Sequence, residues 1–91
     1  MEIVNQIKVL VFLNGTIVVS EIGEVPSELG EPDCKLIKPF QLKTSTNSDV
    51  YLESWNSDYS SQDVFMVHSD KILTIMDPKP TILEKYQKLI K

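Results

Sequence analysis

A chain of 91 residues with one cysteine has room for a single domain, and for neither a disulfide framework nor a multi-cysteine zinc site. It contains no arginine and no alanine, so nothing in it forms the planar two-pronged clamp a guanidinium places on phosphate; an arginine-finger phosphotransferase and an arginine-rich nucleic-acid binder are disfavoured. The net charge of −4 argues against a surface that binds duplex DNA everywhere.

No apolar run approaches the ~18–20 residues of a membrane span. The segment after Met1 has no basic start and no small-residue cleavage site. A cytoplasmic protein is expected. Charge is unevenly placed: residues 21–33 and 44–63 carry acids and no lysine, whereas Lys35, Lys38 and Lys43 cluster, as do Lys79, Lys85, Lys88 and Lys91 in the tail. The acidic runs read as solvated loops, and a local basic patch remains open.

In chain order, Gln6–Leu13 alternates, with Ile7, Val9, Val11 and Leu13 on one face and Leu10 and Phe12 on the other. This is a strand apolar on both faces. Asn14-Gly15 is the preferred dipeptide of a type I′ hairpin turn, and Thr16–Ile22 is the returning strand. Gly23, Pro26, Gly30 and Pro32 then punctuate a loop. Cys34–Lys43 is a third strand, on an edge or broken by a bulge because Pro39 lacks a backbone donor.

Thr44–Asp49 reads as a polar turn, Val50–Trp55 as a strand and Asn56–Gln62 as a Ser-rich connection, so residues 44–62 form a variable polar loop region. Asp63–His68 and Lys71–Met76 are short strands around Ser69-Asp70. Pro78 and Pro80 close the last strand. Thr81 stands three residues before Glu84, a capping-box spacing that predicts a helix over 81–91 with Thr81 as its cap. Ile82, Leu83, Tyr86, Leu89 and Ile90 recur at helical spacing. So short a helix must dock on something to persist.

Chemistry is sparse. His68 has no partner set by spacing, and Cys34 lies in an apolar stretch, which predicts a buried, inert thiol. Gly15, Gly23 and Gly30 are too far apart for a phosphate-cradling loop. No enzyme, cofactor or metal site is expected. Tyr51, Trp55 and Tyr59 can stack on bases or capture a protein partner, but packing within the fold is the expectation for them.

The order of elements resembles an Sm-like (LSm/Hfq-type) protein over residues 6–76. Leu13-Asn14-Gly15 matches the Leu-x-Gly turn of that family's first motif, with Val18 and Ile22 at its apolar positions and Ser20 in place of its second glycine. Val64-Phe65-Met66-Val67, His68-Ser69, Asp70-Lys71 and Ile72-Leu73-Thr74-Ile75 have the shape of its second motif. There His68 stands in place of the arginine and Ser69 in place of the glycine. The family's Asp-x-x-apolar-Asn step begins at Asp33, but Ile37 occupies the asparagine's position. A C-terminal helix is added where the family has an N-terminal one. The chain is most similar to the small Sm-like proteins of phage and marine bacterial sequences.

The resemblance implies a mainly β fold: one domain over 1–91, with a small, strongly bent five-stranded antiparallel barrel over 6–76 and a C-terminal α-helix. It implies a homo-oligomeric ring of about five to seven subunits, closed head to tail. In that ring the penultimate strand pairs with the last strand of the next copy, through Val64, Phe65, Met66, Val67, Ile72, Leu73 and Ile75. Asp33 and His68, Ser69, Asp70 and Lys71 would line the pore and hold single-stranded RNA, His68 by stacking or donation and Lys71 by facing phosphate. A ring also answers the needs of a small core. The alternative is a structural or protein-interaction module that keeps the ring without RNA, as the missing arginine and asparagine suggest.

Overall fold

The computed structural model describes residues 6–24 and 29–90. Strand β1 (Gln6–Phe12) turns back into β2 (Ile17–Glu24) in antiparallel register, from Gln6 opposite Ile22 to Val11 opposite Ile17. The turn differs from the expected type I′. The Phe12 amide donates to the Thr16 carbonyl and the Gly15 amide to the Phe12 carbonyl, both at 2.9 Å, closing a loop of three residues, Leu13 to Gly15. Gly15 takes φ 90°, and Asn14 is not among the residues of positive φ, whereas type I′ requires two in succession. Asn14 contributes through its side chain instead, its Oδ1 accepting from the Thr16 amide at 3.0 Å.

Strand β3 (Cys34–Thr44) pairs with β2, and the register shifts between Val19 and Glu21. Ser20 occupies that bulge. It is fully buried, its Oγ 3.0 Å from the Ile37 carbonyl and 2.7 Å from that of Glu21. On its other edge β3 takes two strands in tandem. Residues 34–37 pair with β5 (Val64–Val67), and residues 40–44 pair with β4 (Val50–Ser54). The handover falls at Lys38, which adopts φ 50°, and at Pro39, where no ladder hydrogen bond is lost. Around it the Lys38 amide donates to the Asp63 carbonyl at 2.6 Å and the Trp55 amide to the Pro39 carbonyl at 3.2 Å. The sequence reading of a bulged strand holds here, and the six strands read along the chain are present, where the family resemblance implies five.

The last strand, β6 (Ile72–Met76), crosses to the free edge of β1, giving the order β4-β3-β2-β1-β6 with β5 beside β4 on β3. A single 3-10 turn, Ser69–Lys71, joins β5 to β6, and the two do not pair with each other. The result is an open antiparallel sheet with β5 and β6 at opposite ends. Pro26 of the second connection and Lys91 of the predicted helix lie outside the described residues.

Both faces of the sheet are covered. Leu10, Phe12, Val18, Cys34 and Leu36 form one core, joined by Trp55, Phe65 and Val67 from one end and Ile72 from the other. Cys34 is buried there, as its apolar surroundings predict. On the opposite face Val9, Val19 and Tyr86 form a second core with Ile7, Ile17, Phe40 and Leu42. Helix α1 (Pro80–Leu89) covers it through Tyr86, Ile82 and Ile90. Lys85 donates to the Val50 carbonyl at 2.8 Å, tying the helix to β4.

The helix start corrects the expected capping box. Lys79 is the N-cap, without a side-chain cap hydrogen bond, and Pro80 is the first helical residue. Proline's fixed φ suits that position, where its missing N–H costs nothing. Thr81 is therefore inside the helix and exposed. Thr81→Ala should change the urea midpoint by no more than about 0.5 kcal/mol equivalent, against the ~0.5–2 kcal/mol that loss of a true cap costs.

Candidate nucleic-acid interface

Asp33 ends the second connection immediately before β3, and Ser69 opens the 3-10 turn after β5. The pairing of β3 with β5 brings them together, Cys34 opposite Val67. Both carboxylate oxygens of Asp33 are engaged. Oδ1 accepts from the Ser69 amide at 2.8 Å and Oδ2 from the Ser69 hydroxyl at 2.7 Å. This latch fixes two loops that the sequence places 36 residues apart.

The two bonds from Ser69, hydroxyl first, hold the Asp33 carboxyl below its ordinary value. A carboxyl depressed in the folded state stabilises the fold above its unfolded pKa and loses that contribution as pH falls through the folded one. The latch should therefore stay closed down to pH values below the ordinary aspartate range. The Ser69 amide proton shift, followed by NMR against pH, should titrate below the usual aspartate value, and Asp33→Asn should abolish that titration.

His68 precedes the 3-10 turn in extended conformation, half-buried, with its carbonyl accepting from the Lys71 amide at 3.1 Å. Asp70 and Lys71 are exposed. The Lys71 carbonyl accepts from the Leu13 amide at 2.9 Å, so the β1–β2 turn joins the same cluster of connections. Asp33, His68, Ser69, Asp70 and Lys71 are thus neighbours. The electrostatics are mixed, with two carboxylates beside one lysine ammonium. Ile37, at the position of the family's asparagine, serves the fold: its carbonyl is a hydrogen-bond acceptor for Ser20 and for the Tyr86 hydroxyl.

The residues expected at a subunit interface divide by strand alternation. Phe65, Val67 and Ile72 pack, partly buried, against the chain's own first core. Val64, Met66, Leu73 and Ile75 are left exposed, Leu73 by 66%. Ile75 lies opposite Leu10, on the core-ward side of the sheet, yet 47% of its surface is open.

Of the aromatic group, Trp55 is a packing residue, stacked on Phe12 at 5.5 Å and tilted against Phe65 at 5.6 Å. Tyr51 and Tyr59 are exposed. No cluster of His, Cys, Asp and Glu among the described residues can hold a metal ion, and none of their helices is long and apolar enough to cross a membrane. Sequence reasoning did not single out Gln41 and Asn56, which line a groove beside His68. Only Asn56 carries a local signal, since asparagine tolerates the left-handed backbone found there, φ 61°.

The chain belongs to a family described as a family of unknown function (DUF6561), whose match spans residues 5–91. The curated proteins give no match to it.

Proposed function

We propose that this DUF6561 protein is an Sm-like, ring-forming protein that holds single-stranded RNA at loops around a central pore. The observation that carries this reading is a pair of strand edges that have no partner among the described residues. Strands β5 and β6 close the two ends of an open sheet, each with one bonded neighbour, and each leaves apolar side chains uncovered. Val64 and Met66 do so on β5, and Leu73, Ile75 and Met76 on β6. Such edges are templates for another strand, and a head-to-tail pairing of β5 with β6 of the next copy satisfies both at once. Sheet order and the adjacency of Asp33 to the β5–β6 turn support the same reading. In the ring each copy presents Asp33, His68, Ser69, Asp70 and Lys71 to the pore, and repetition multiplies a modest contact.

Size exclusion with light scattering tests the ring, and a monomer at micromolar concentration overturns it. Fluorescence anisotropy then compares labelled single-stranded RNA with duplex DNA. Preference for the single strand, weakening with salt and reduced by His68→Ala and Lys71→Ala, is the expected result. One observation favours a second reading, a ring that serves assembly without RNA. Both Asp33 oxygens are already held by Ser69, and Ile37 replaces the asparagine. An intact ring with no affinity for RNA at low salt selects it.

A further inference from the structure

We infer a second site, for one nucleoside monophosphate unit, in the groove between the β1–β2 turn and the β5–β6 turn. The groove has a volume of about 690 Å³, within the range of small-ligand sites. Phe12 and Trp55 give it an aromatic wall. Six polar side chains complete the lining: Asn14, whose Oδ1 accepts from the Thr16 amide, Thr16 itself, and a group of four, Gln41, Asn56, His68 and Lys71.

The fold makes no use of these four heads. Among the described residues none of them forms a side-chain hydrogen bond or an ion pair. Elsewhere comparable groups are engaged, as Ser20 is with Ile37, Ser69 with Asp33, Lys8 with Asp77 and Lys85 with Val50. Gln41, Asn56 and His68 are half-buried, so their heads reach the solvent of the groove and are open to a ligand. Unpaired polar groups beside an aromatic wall suit a small ligand with one apolar face and a polar edge.

The chemistry of the lining selects the ligand class. Each amide of Gln41 and Asn56 offers a donor and an acceptor, which matches the mixed edge of a nucleobase. The aromatic wall suits the base's apolar face. Lys71 supplies one ammonium for one phosphate. Among the described lining residues there is no carboxylate, in a chain with 13 acidic side chains; Asp33 and Asp70 stand beside the groove and not in its lining. A purely apolar ligand would leave four polar heads unpaired. This site shares His68 and Lys71 with the RNA reading above and deepens it, but it is complete within one chain and needs no ring.

Trp55 is the only tryptophan, so its indole N–H gives one assigned signal in proton–nitrogen NMR spectra of the full chain. Titration with AMP or UMP should move that signal saturably. Lys71→Gln should weaken the nucleotide about tenfold while leaving the nucleoside unchanged. Asn56→Gly keeps the left-handed backbone, removes the amide and should weaken both. No saturable shift with any of the four nucleoside monophosphates at millimolar concentration, or an equal response to ribose 5-phosphate, overturns the site. Affinity that rises with oligonucleotide length assigns the unit to a strand, and affinity that does not rise assigns it to a free nucleotide. The two readings fail separately. RNA bound by a ring that moves Ser69 but not Trp55 overturns the groove alone; nucleotide bound by a monomer overturns the ring alone.

Discussion

Tyr86→Ala should cost ~3–5 kcal/mol, out of the roughly 5–14 kcal/mol that a chain of this size possesses. The ring is fully buried in the second core and meets Phe40 edge-on at 5.9 Å. Its hydroxyl reaches the two irregular points of the sheet at once. It accepts from the Glu21 amide at 3.1 Å, beside the Ser20 bulge, and lies 3.0 and 2.9 Å from the carbonyls of Ile37 and Lys38, at the break in β3. Tyr86→Phe keeps the ring and removes those contacts, for an expected loss of ~1–3 kcal/mol.

Urea denaturation across pH separates the two contributions. Burial raises the Tyr86 phenol above its ordinary pKa, more than its hydrogen bonds lower it. A phenol raised in the folded state contributes stability below the unfolded value near 10, and that stability is lost as pH climbs through the folded value. The native chain should therefore weaken above pH 10 more steeply than Tyr86→Phe. Equal alkaline slopes would show that the hydroxyl carries no such role.

Placing a charge on either open edge should disperse the proposed ring without unfolding its subunits. Met66→Lys on β5 and Leu73→Lys on β6 alter side chains exposed in the single chain, so each should shift monomer stability by no more than about 0.5 kcal/mol. A lysine there opposes strand addition. Light scattering should report monomers for both variants. If RNA binds through the pore, affinity should fall by ~10²–10⁴ as the repeated contacts become independent. A variant that remains a ring would place the subunit contact on other strands.

Much of this architecture is legible in the chain, because alternation and turn chemistry act locally. Leu10 and Phe12 against Ile7 and Val9 already describe a strand covered on both sides, and the structure supplies a core for each pair. Pro39 marks the interruption of β3. What it does not reveal is that Lys38 takes the left-handed turn, since lysine has no preference for that conformation. Nor does it show that one edge then serves β5 and β4 in succession, which depends on where distant strands arrive.

The helix was misplaced by one cap because Pro80 fits two roles, closing a strand or opening a helix, and only packing decides between them. Tyr86 looks like any apolar position of an amphipathic helix. Its hydroxyl acquires a role only once the bulge and the break lie beneath it. At the candidate site the sequence placed His68 through Lys71 on a turn and Asp33 on a loop, but the Asp33–Ser69 latch needs the β3–β5 ladder. That Gln41 and Asn56 line a groove with His68 is visible only once β3 and the chain after β4 are folded beside the β5–β6 turn.

The pairing of β1 with β6 joins the first strand of the described chain to the last, and α1 follows β6. During synthesis, β1 through β3 can assemble as a local meander while the rest is still being made. Throughout that interval β1 has no neighbour on its outer side, and the surface of Val9 and Val19 is bare, because Tyr86 emerges after both. Contacts between the ends of a chain form late, and an open edge beside an uncovered apolar face is what draws nascent chains together. A stop within β6 or α1 should therefore yield insoluble product, whereas one that spares Tyr86 and the final helical turn should yield soluble protein.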